Sequence, residues 1–499
     1  MDGPSELQSD ARRYCFEQAE NPMAFEQDST LPPTGAVSEG SLWSALREAI
    51  RGSHRNYTEG PIGRSVLLLA VPMVLEMFME SLFAVVDIYW VGKLGTDAAA
   101  TVGLTESLLT IIYALAIGLS IGATAMIARR IGERDSEGAA RAAVQAIVIA
   151  LIVSALIALI GAPLAPRLLK LMGGSPWVIE HGFAFTRIML AGNVTVVTLF
   201  MVNAIFRGAG DAAIAMRTLW LANWINIILG PCLIFGIGPF PKLGIVGAAI
   251  ATNIGRGTGA LFALSKLFRS GGRFDIYRRH LKIEPSVMGR LVRLSATGTF
   301  QVFIGMASWI GLVRIISSFG SDAVAGYTFG IRVILFALLP SWGMSNAAAT
   351  MVGQALGARK PDRAERAVWQ AGFYNMIFLG VVGILFVIFA PQIISLYTSD
   401  PHVAEYGIEC LRIVSYGFLF YAYGMVLGQS FNGAGDTWTP TIINLFVFWL
   451  WEIPLGFVLA KVLNLGPRGV FIAITIAFST LAVVSALVFR RGHWKMRVV

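Results

Sequence analysis

The stretch "VPMVLEMFMESLFAVVDIYW", residues 71–90, decides the fold. As a helix it rises ~30 Å, the thickness of a bilayer's hydrocarbon core. It also carries Glu76, Glu80 and Asp87. Spacings of four and seven residues place all three on one narrow stripe of a helix with 3.6 residues per turn. A charged side chain at mid-bilayer costs at least about 2.5–3.5 kcal/mol on insertion scales. Such groups are therefore expected to face a polar cavity or to be protonated.

The rest of the chain agrees with a membrane reading. Of its 499 residues, 56% are hydrophobic and only 14% charged, too few polar groups to cover a soluble protein of this length. Apolar runs of helical length recur from Val66 to Val488, continuous rather than alternating, which excludes a β-barrel. The expected fold is an all-α integral membrane protein. The net charge of +9 does not point to nucleic acid, because the basic residues cluster in short loops between spans. Three scattered cysteines, Cys15, Cys232 and Cys410, suggest neither a disulfide framework nor a metal site. No cleavable signal peptide is expected, since the polar tail 1–60 has no apolar segment. Within it, residues 1–40 read as disordered and 41–51, "SLWSALREAIR", as a short amphipathic helix or a solvated tail.

Hydropathy and breakers together give twelve spans: 64–91, 99–128, 139–164, 178–206, 213–236 and 244–268, then 287–319, 324–353, 366–390, 403–431, 437–460 and 468–490. One set of loops holds Arg129, Arg130, Arg134, Arg141, Arg207 and Arg217. The same side holds the basic stretch around Arg278 and Lys282, then Arg359, Lys360 and Arg363. This asymmetry places both termini in the cytoplasm of a multi-pass plasma-membrane protein.

A repeat divides the chain. "FRGAGD" at 206–211 returns as "FNGAGD" at 431–436, and the same offset of 225 pairs Asp97 with Asp322, Gly132 with Gly357 and Arg141 with Arg366. Six spans per half make both halves enter from one side, so a pseudo-twofold axis along the membrane normal is expected. The domains follow: a tail to residue 60, a six-helix bundle at 61–268, a cytoplasmic linker at 269–286, a second six-helix bundle at 287–490 and a short tail at 491–499. Two such bundles enclose a cavity, and rocking between them gives alternating access.

The acids break the repeat. Glu76, Glu80 and Asp87 correspond to Gln301, Gly305 and Leu312, and Glu106 of the second span corresponds to Ile331. A feature confined to one half suggests a cation-coupling site in the first bundle. Crowded carboxyls there are candidates to exchange protons or to bind Na⁺. A glutamate could instead pair with a buried arginine such as Arg256. Pro72, one turn before Glu76, removes a helix hydrogen bond and favours a kink, making it a candidate hinge or a static bend. Glu452 is a lone acid in the eleventh span. Methionines of the first span and aromatics such as Trp309, Trp342 and Tyr421 suit apolar or cationic ligands.

These features resemble the multidrug and toxic compound extrusion (MATE) family. "AVP" at 70–72 with "VDIYWVGKLG" at 86–95 is similar to its first helix, and "FRGAGD" and "FNGAGD" to its repeated turn. "NIILGPCLIFG" at 226–236 and "GAAIATNIGR" at 247–256 are similar to its fifth and sixth helices. The resemblance covers residues 60–492 and implies export of amphipathic, often cationic organic molecules against inward H⁺ or Na⁺. It places the family's helix-1 aspartate on Asp87, its helix-1 proline on Pro72 and its helix-5 asparagine on Asn226. The helix-5 aspartate position is Gly230, and the helix-7 glutamate position is Gln301, a possible neutral polar site in the second bundle. A coupling-ion site is thus expected in the first bundle only, formed from Asp87, Glu80, Glu76, Glu106 and Asn226.

No cofactor, metal or nucleic acid is expected, and the partners are organic cations and the lipid bilayer, with the protein a monomer. A lipid-linked saccharide flippase of the same superfamily is the alternative, for which Arg256, Arg314 and Arg332 would have to hold a pyrophosphate. A membrane-embedded enzyme ranks lower, because no HExxH, GxSxG or paired metal motif occurs.

Overall fold

The fold was built as a computed structural model that describes residues 42–53, 55–269 and 272–497. The stretch 1–40, read as disordered, lies outside the described residues. Every regular element among the described residues is helical. A short helix α1 (Leu42–Arg51) precedes the spans, and its end is tied down by Arg217, which donates to the carbonyls of Ile50 and Arg51 at 3.0 and 2.7 Å.

The first half comprises α2 (Ile62–Gly92), α3 (Thr96–Gly132), α4 (Ser136–Leu171), α5 (Pro176–Ala209), α6 (Ala212–Phe235) and α7 (Ile245–Leu267). The second comprises α8 (Pro285–Ile316), α9 (Ser321–Gly357) and α10 (Pro361–Ser395), then α11 (Pro401–Tyr416 with Phe418–Gly433), α12 (Trp438–Val462) and α13 (Pro467–Arg490). Among the described residues ten of these are long and apolar enough to cross a bilayer, and α11 is an eleventh span bent by 62° at Gly417. The twelfth, α7, has 23 residues, enough to rise ~34 Å. Thr252, Asn253 and Arg256 make it more polar than the others.

Local chemistry sets the boundaries. Asp135 caps α4 by accepting from Gly138 N at 2.7 Å, and Ser175 caps α5 by accepting from Val178 N at 3.3 Å, each meeting an amide that the first turn leaves unpaired. The long helices α3 and α9 start after Gly95 and Gly320, at φ 105° and 107°, a region that disfavours a side chain. Both are followed by an arginine with positive φ, Arg134 at 62° and Arg359 at 57°. The breaks in α5 and α11 fall at Gly192 and Gly417. Each of these pairs is 225 residues apart.

The packing repeats too. Across the seam, α2 lies on α9 and α8 lies on α3; within each half, α2 lies on α6 and α8 on α12. The approach is close enough to need glycine. A Cβ on Gly118 would stand 2.4 Å from Thr299 N, and one on Gly343 would stand 2.5 Å from Met73 O. At the basic end, a Cβ on Gly132 would stand 2.1 Å from Gln354 O and one on Gly357 2.2 Å from Arg129 O. These contacts exchange under the 225-residue offset, as a pseudo-twofold axis through α3 and α9 requires. The fold is two six-helix bundles so related. Hydrogen bonds reinforce the basic end, where Thr350 Oγ1 donates to Arg207 O at 3.1 Å and Gln354 Nε2 to Gly208 O at 3.0 Å.

Candidate functional site

Glu76 and Glu80 point into the first bundle, one turn apart. Glu76 is only 1% exposed. Its Oε1 accepts from Arg207 Nη1 at 2.8 Å and from Asn203 Nδ2 at 3.1 Å, both on α5, while its Oε2 has no hydrogen-bond partner. Glu80 is gripped by Arg256 of α7, Nη2 to Oε1 at 2.5 Å and Nη1 to Oε2 at 3.2 Å, and it accepts from Asn223 Nδ2 of α6 at 3.1 Å. This bidentate geometry is the strong form of a charge-assisted hydrogen bond. Burying either carboxylate without its arginine would leave an uncompensated charge.

Asp87 lies two turns further along α2 and is partly buried. Among the described residues its side chain makes no ion pair or hydrogen bond, but the charges of Glu106 and Arg256 reach it. Glu106 lies on α3 and feels Arg332 of α9, across the seam. Arg256 thus stands between Glu80 and Asp87 and faces the ring of Phe83, 5.1 Å from its centroid. Asn226 donates to Thr252 Oγ1 at 2.9 Å rather than to an acid, and nothing but its own Oδ1 lies within 4 Å of where a Cβ on Gly230 would be. Helix α2 continues unbroken through the buried Pro72.

Arg207 is the partner that sequence reading misplaced. It was read as a loop residue setting topology, whereas it sits inside α5, 8% exposed, and neutralises Glu76. The signal was present in the repeat. Glu76 and Arg207 become Gln301 and Asn432 in the second half, so both members of the pair turn neutral together.

Two cavities lie nearby, one lined by Glu76 and Glu80 and neither by Asp87, Glu106 or Asn226, so only part of the acid stripe faces a cavity. The first, about 150 Å³, is lined by Glu76, Glu80, Asn203 and Arg207 from the first bundle and by Trp342, Asn346 and Gln429 from the second. The second, about 560 Å³, belongs mainly to the second bundle and is lined by Gln301, Met306, Trp309, Tyr421, Phe448 and Phe478. Ile121, Trp342 and Gln429 line both. Gln301, at the position of Glu76, is 8% exposed, and its Oε1 has no partner. One cavity is thus charged and the other aromatic. Among the described residues, no three His, Cys, Asp or Glu side chains converge as metal ligands would.

Known proteins resemble most of the chain. A probable multidrug resistance protein YoeA from Bacillus subtilis is 28% identical over 84% of this chain and 91% of its own length. A probable multidrug resistance protein NorM from Thermotoga maritima is 26% identical over 88% of this chain and 94% of its own. A solved structure described as the outward-facing conformation of a multidrug resistance MATE family transporter superposes with a TM-score of 0.83. It is 28% identical, over 88% of this chain and 98% of that one. The MatE family model matches twice, at residues 72–232 and 298–458, once in each six-helix half. This chain is a multi-pass membrane protein that belongs to the MatE family of transporters.

Proposed function

We propose that this protein is a secondary antiporter that exports amphipathic organic cations in exchange for protons by alternating access between its two bundles. The observation that carries this reading is Asp87, a carboxyl without an ion pair beside two glutamates that each have one. Glu76 and Glu80 are held by Arg207 and Arg256 and serve as the fixed charge framework of the site. Asp87 is left to take up and release the proton, within electrostatic reach of Glu106. Protons are favoured over Na⁺ on two grounds: the helix-5 acid is replaced by Gly230, and the guanidinium of Arg256 lies within electrostatic reach of Asp87 and would repel a metal cation. Asn226 orders the wall of the site through Thr252, and Pro72 is the hinge of α2.

The names of the relatives support multidrug cargo, and the aromatic second cavity suits flat or bulky cations. The lysine and arginine bias of the loops supports a plasma-membrane orientation with both termini cytoplasmic. The saccharide-flippase alternative needs free arginines, and Arg256 is engaged by Glu80. The test is uptake of a fluorescent organic cation into inside-out vesicles, under a pH gradient and separately under a Na⁺ gradient. Accumulation driven by the pH gradient without Na⁺, and lost in Asp87→Asn, is the expected result. Uptake that only Na⁺ drives, or that survives Asp87→Asn, overturns the reading.

A further inference from the structure

Glu452 is the one acid of α12, and the site described above does not use it. It is 2% exposed. Its position also breaks the repeat, because the residue 225 places earlier is Ile227. The first bundle pairs the buried Glu76 and the part-buried Glu80 each with an arginine. Glu452 has no ion pair and no side-chain hydrogen bond among the described residues, and no lysine or arginine is near enough to influence it. An intramembrane acid costs enough to insert that it is a functional candidate by default.

Its surroundings supply a second observation. Glu452 ends a run of π-helix, Leu445–Glu452, and a second run follows at Val458–Val462. Such wide turns concentrate at functional sites because they re-aim side chains at a cost in helix stability. Phe448, four residues before Glu452 in the same π-helical run, lines the 560 Å³ cavity, while Glu452 itself lies behind that lining. Tyr421, also on the cavity wall, lies within electrostatic reach of Glu452 and stacks on Phe478 with ring centroids 3.9 Å apart. Tyr327 is also within electrostatic reach of Glu452, and its buried hydroxyl has no partner. Gln301 lines the same cavity, and its buried Oε1 is likewise unpartnered. A buried acceptor left without a donor calls for a ligand or a water.

We propose that the second bundle holds the recognition site for an organic cation, with the carboxylate of Glu452 as its counter-ion. Gln301 Oε1 is an acceptor for the cation's N–H or polarised C–H groups. Trp309, Tyr421, Phe448 and Phe478 supply the aromatic walls, whose ring faces attract positive charge. The two bundles then divide the labour: the first carries the proton and the second carries the cargo. This inference rests on the antiport reading for its cargo class, but its test is separate from that of the coupling.

The test measures binding of tetraphenylphosphonium to the purified full-length protein in detergent by calorimetry, with neutral triphenylphosphine oxide as the comparison. In Glu452→Gln, tetraphenylphosphonium affinity is expected to fall at least tenfold while the weak affinity for the neutral compound stays within about twofold. Thermal melting reports whether the variant is folded; Glu452→Asp, which keeps the charge, is expected to restore most of the affinity. Gly103→Ala, at a position where nothing lies within 4 Å of an added Cβ, is the control and is expected to bind tetraphenylphosphonium as the parent does. Unchanged cation affinity in a folded Glu452→Gln overturns the inference, as do equal losses for both compounds. The antiport reading fails separately, if the parent protein binds the cation but no pH gradient drives its uptake.

Discussion

Arg256 of α7 grips Glu80 of α2 through both guanidinium arms, 2.5 and 3.2 Å from the two carboxylate oxygens, with the arginine 2% exposed. The pair fixes the distance between two helices that are far apart in sequence. Removing one member strands the other in a buried place, which typically costs about 3–5 kcal/mol, whereas replacing both with apolar groups is often close to neutral. Glu80→Gln is therefore expected to lower the melting temperature by several degrees and Arg256→Met by as much or more. The double variant should recover most of the loss. Calorimetric melting of the three proteins checks this; additive losses in the double variant would exclude the coupling.

The seam between the bundles gives a second expectation. Gly118 and Gly343 face backbone atoms of the opposite half at distances where a methyl group cannot fit. Gly118→Ala and Gly343→Ala should each spread α3 from α8 or α9 from α2, lower stability by about 1–3 kcal/mol as overpacking does, and slow transport. Gly103→Ala serves as the control, since nothing lies within 4 Å of its Cβ position. It should be neutral or stabilise α3 by up to ~1 kcal/mol through helix propensity. Equal behaviour of all three variants in melting and vesicle uptake would contradict this packing.

Asp87→Asn and Glu76→Gln should separate coupling from architecture. Asp87 carries no ion pair, so its amide variant is expected to melt within about 1 kcal/mol of the parent, as substitutions away from specific interactions do. Its pH-driven uptake should fall at least tenfold. Glu76→Gln leaves the buried Arg207 without its partner, so it should lose stability first and transport as a consequence. Melting curves alongside vesicle uptake distinguish the two patterns.

Acid should loosen α1. Partial burial raises the Glu48 carboxyl, but Arg64 at 2.8 Å and Arg55 at 2.6 Å outweigh it and hold the group below its ordinary value of 4.5. A depressed carboxyl contributes stability above the unfolded value and loses it as pH falls through the folded one. The anchoring of α1 to Arg64 of α2 is thus expected to be intact above pH 5 and to weaken progressively below about 4.5. Hydrogen–deuterium exchange of residues 45–55, corrected for the intrinsic rate at each pH, measures it. Glu48→Gln should remove that dependence, and exchange that speeds up equally in the variant would argue against Glu48 as the cause.

Most of the architecture was legible in the chain because the bilayer imposes length and apolarity on each span. The spans read at 64–91 and 99–128 are α2, Ile62–Gly92, and α3, Thr96–Gly132; the helices extend past the apolar runs because their polar ends project beyond the hydrocarbon. The repeat disclosed the pseudo-twofold through turn residues such as Gly210 and Gly435, at φ 89° and 83°. Less of the site was legible. The stripe of Glu76, Glu80 and Asp87 was visible, but its division into two paired glutamates and one unpaired aspartate depends on which arginines arrive from α5 and α7. Hydropathy assigned Arg207 to a loop because its neighbours, "FRGAGD", read as a turn. The π-helical turns of α12 have no sequence signature comparable to a proline or glycine, and they appear only in the coordinates.

The buried glutamates of α2 find their cationic partners on α5 and α7, within their own bundle. In the proposed alternating access, that half of the molecule would swing as a self-neutralised body without leaving either carboxylate stranded in oil. Resistance to that swing would then reside in the glycine-lined joint along α3 and α9, where the helices approach too closely for a side chain. Evolution could retune the switching rate at that joint without touching the charges inside.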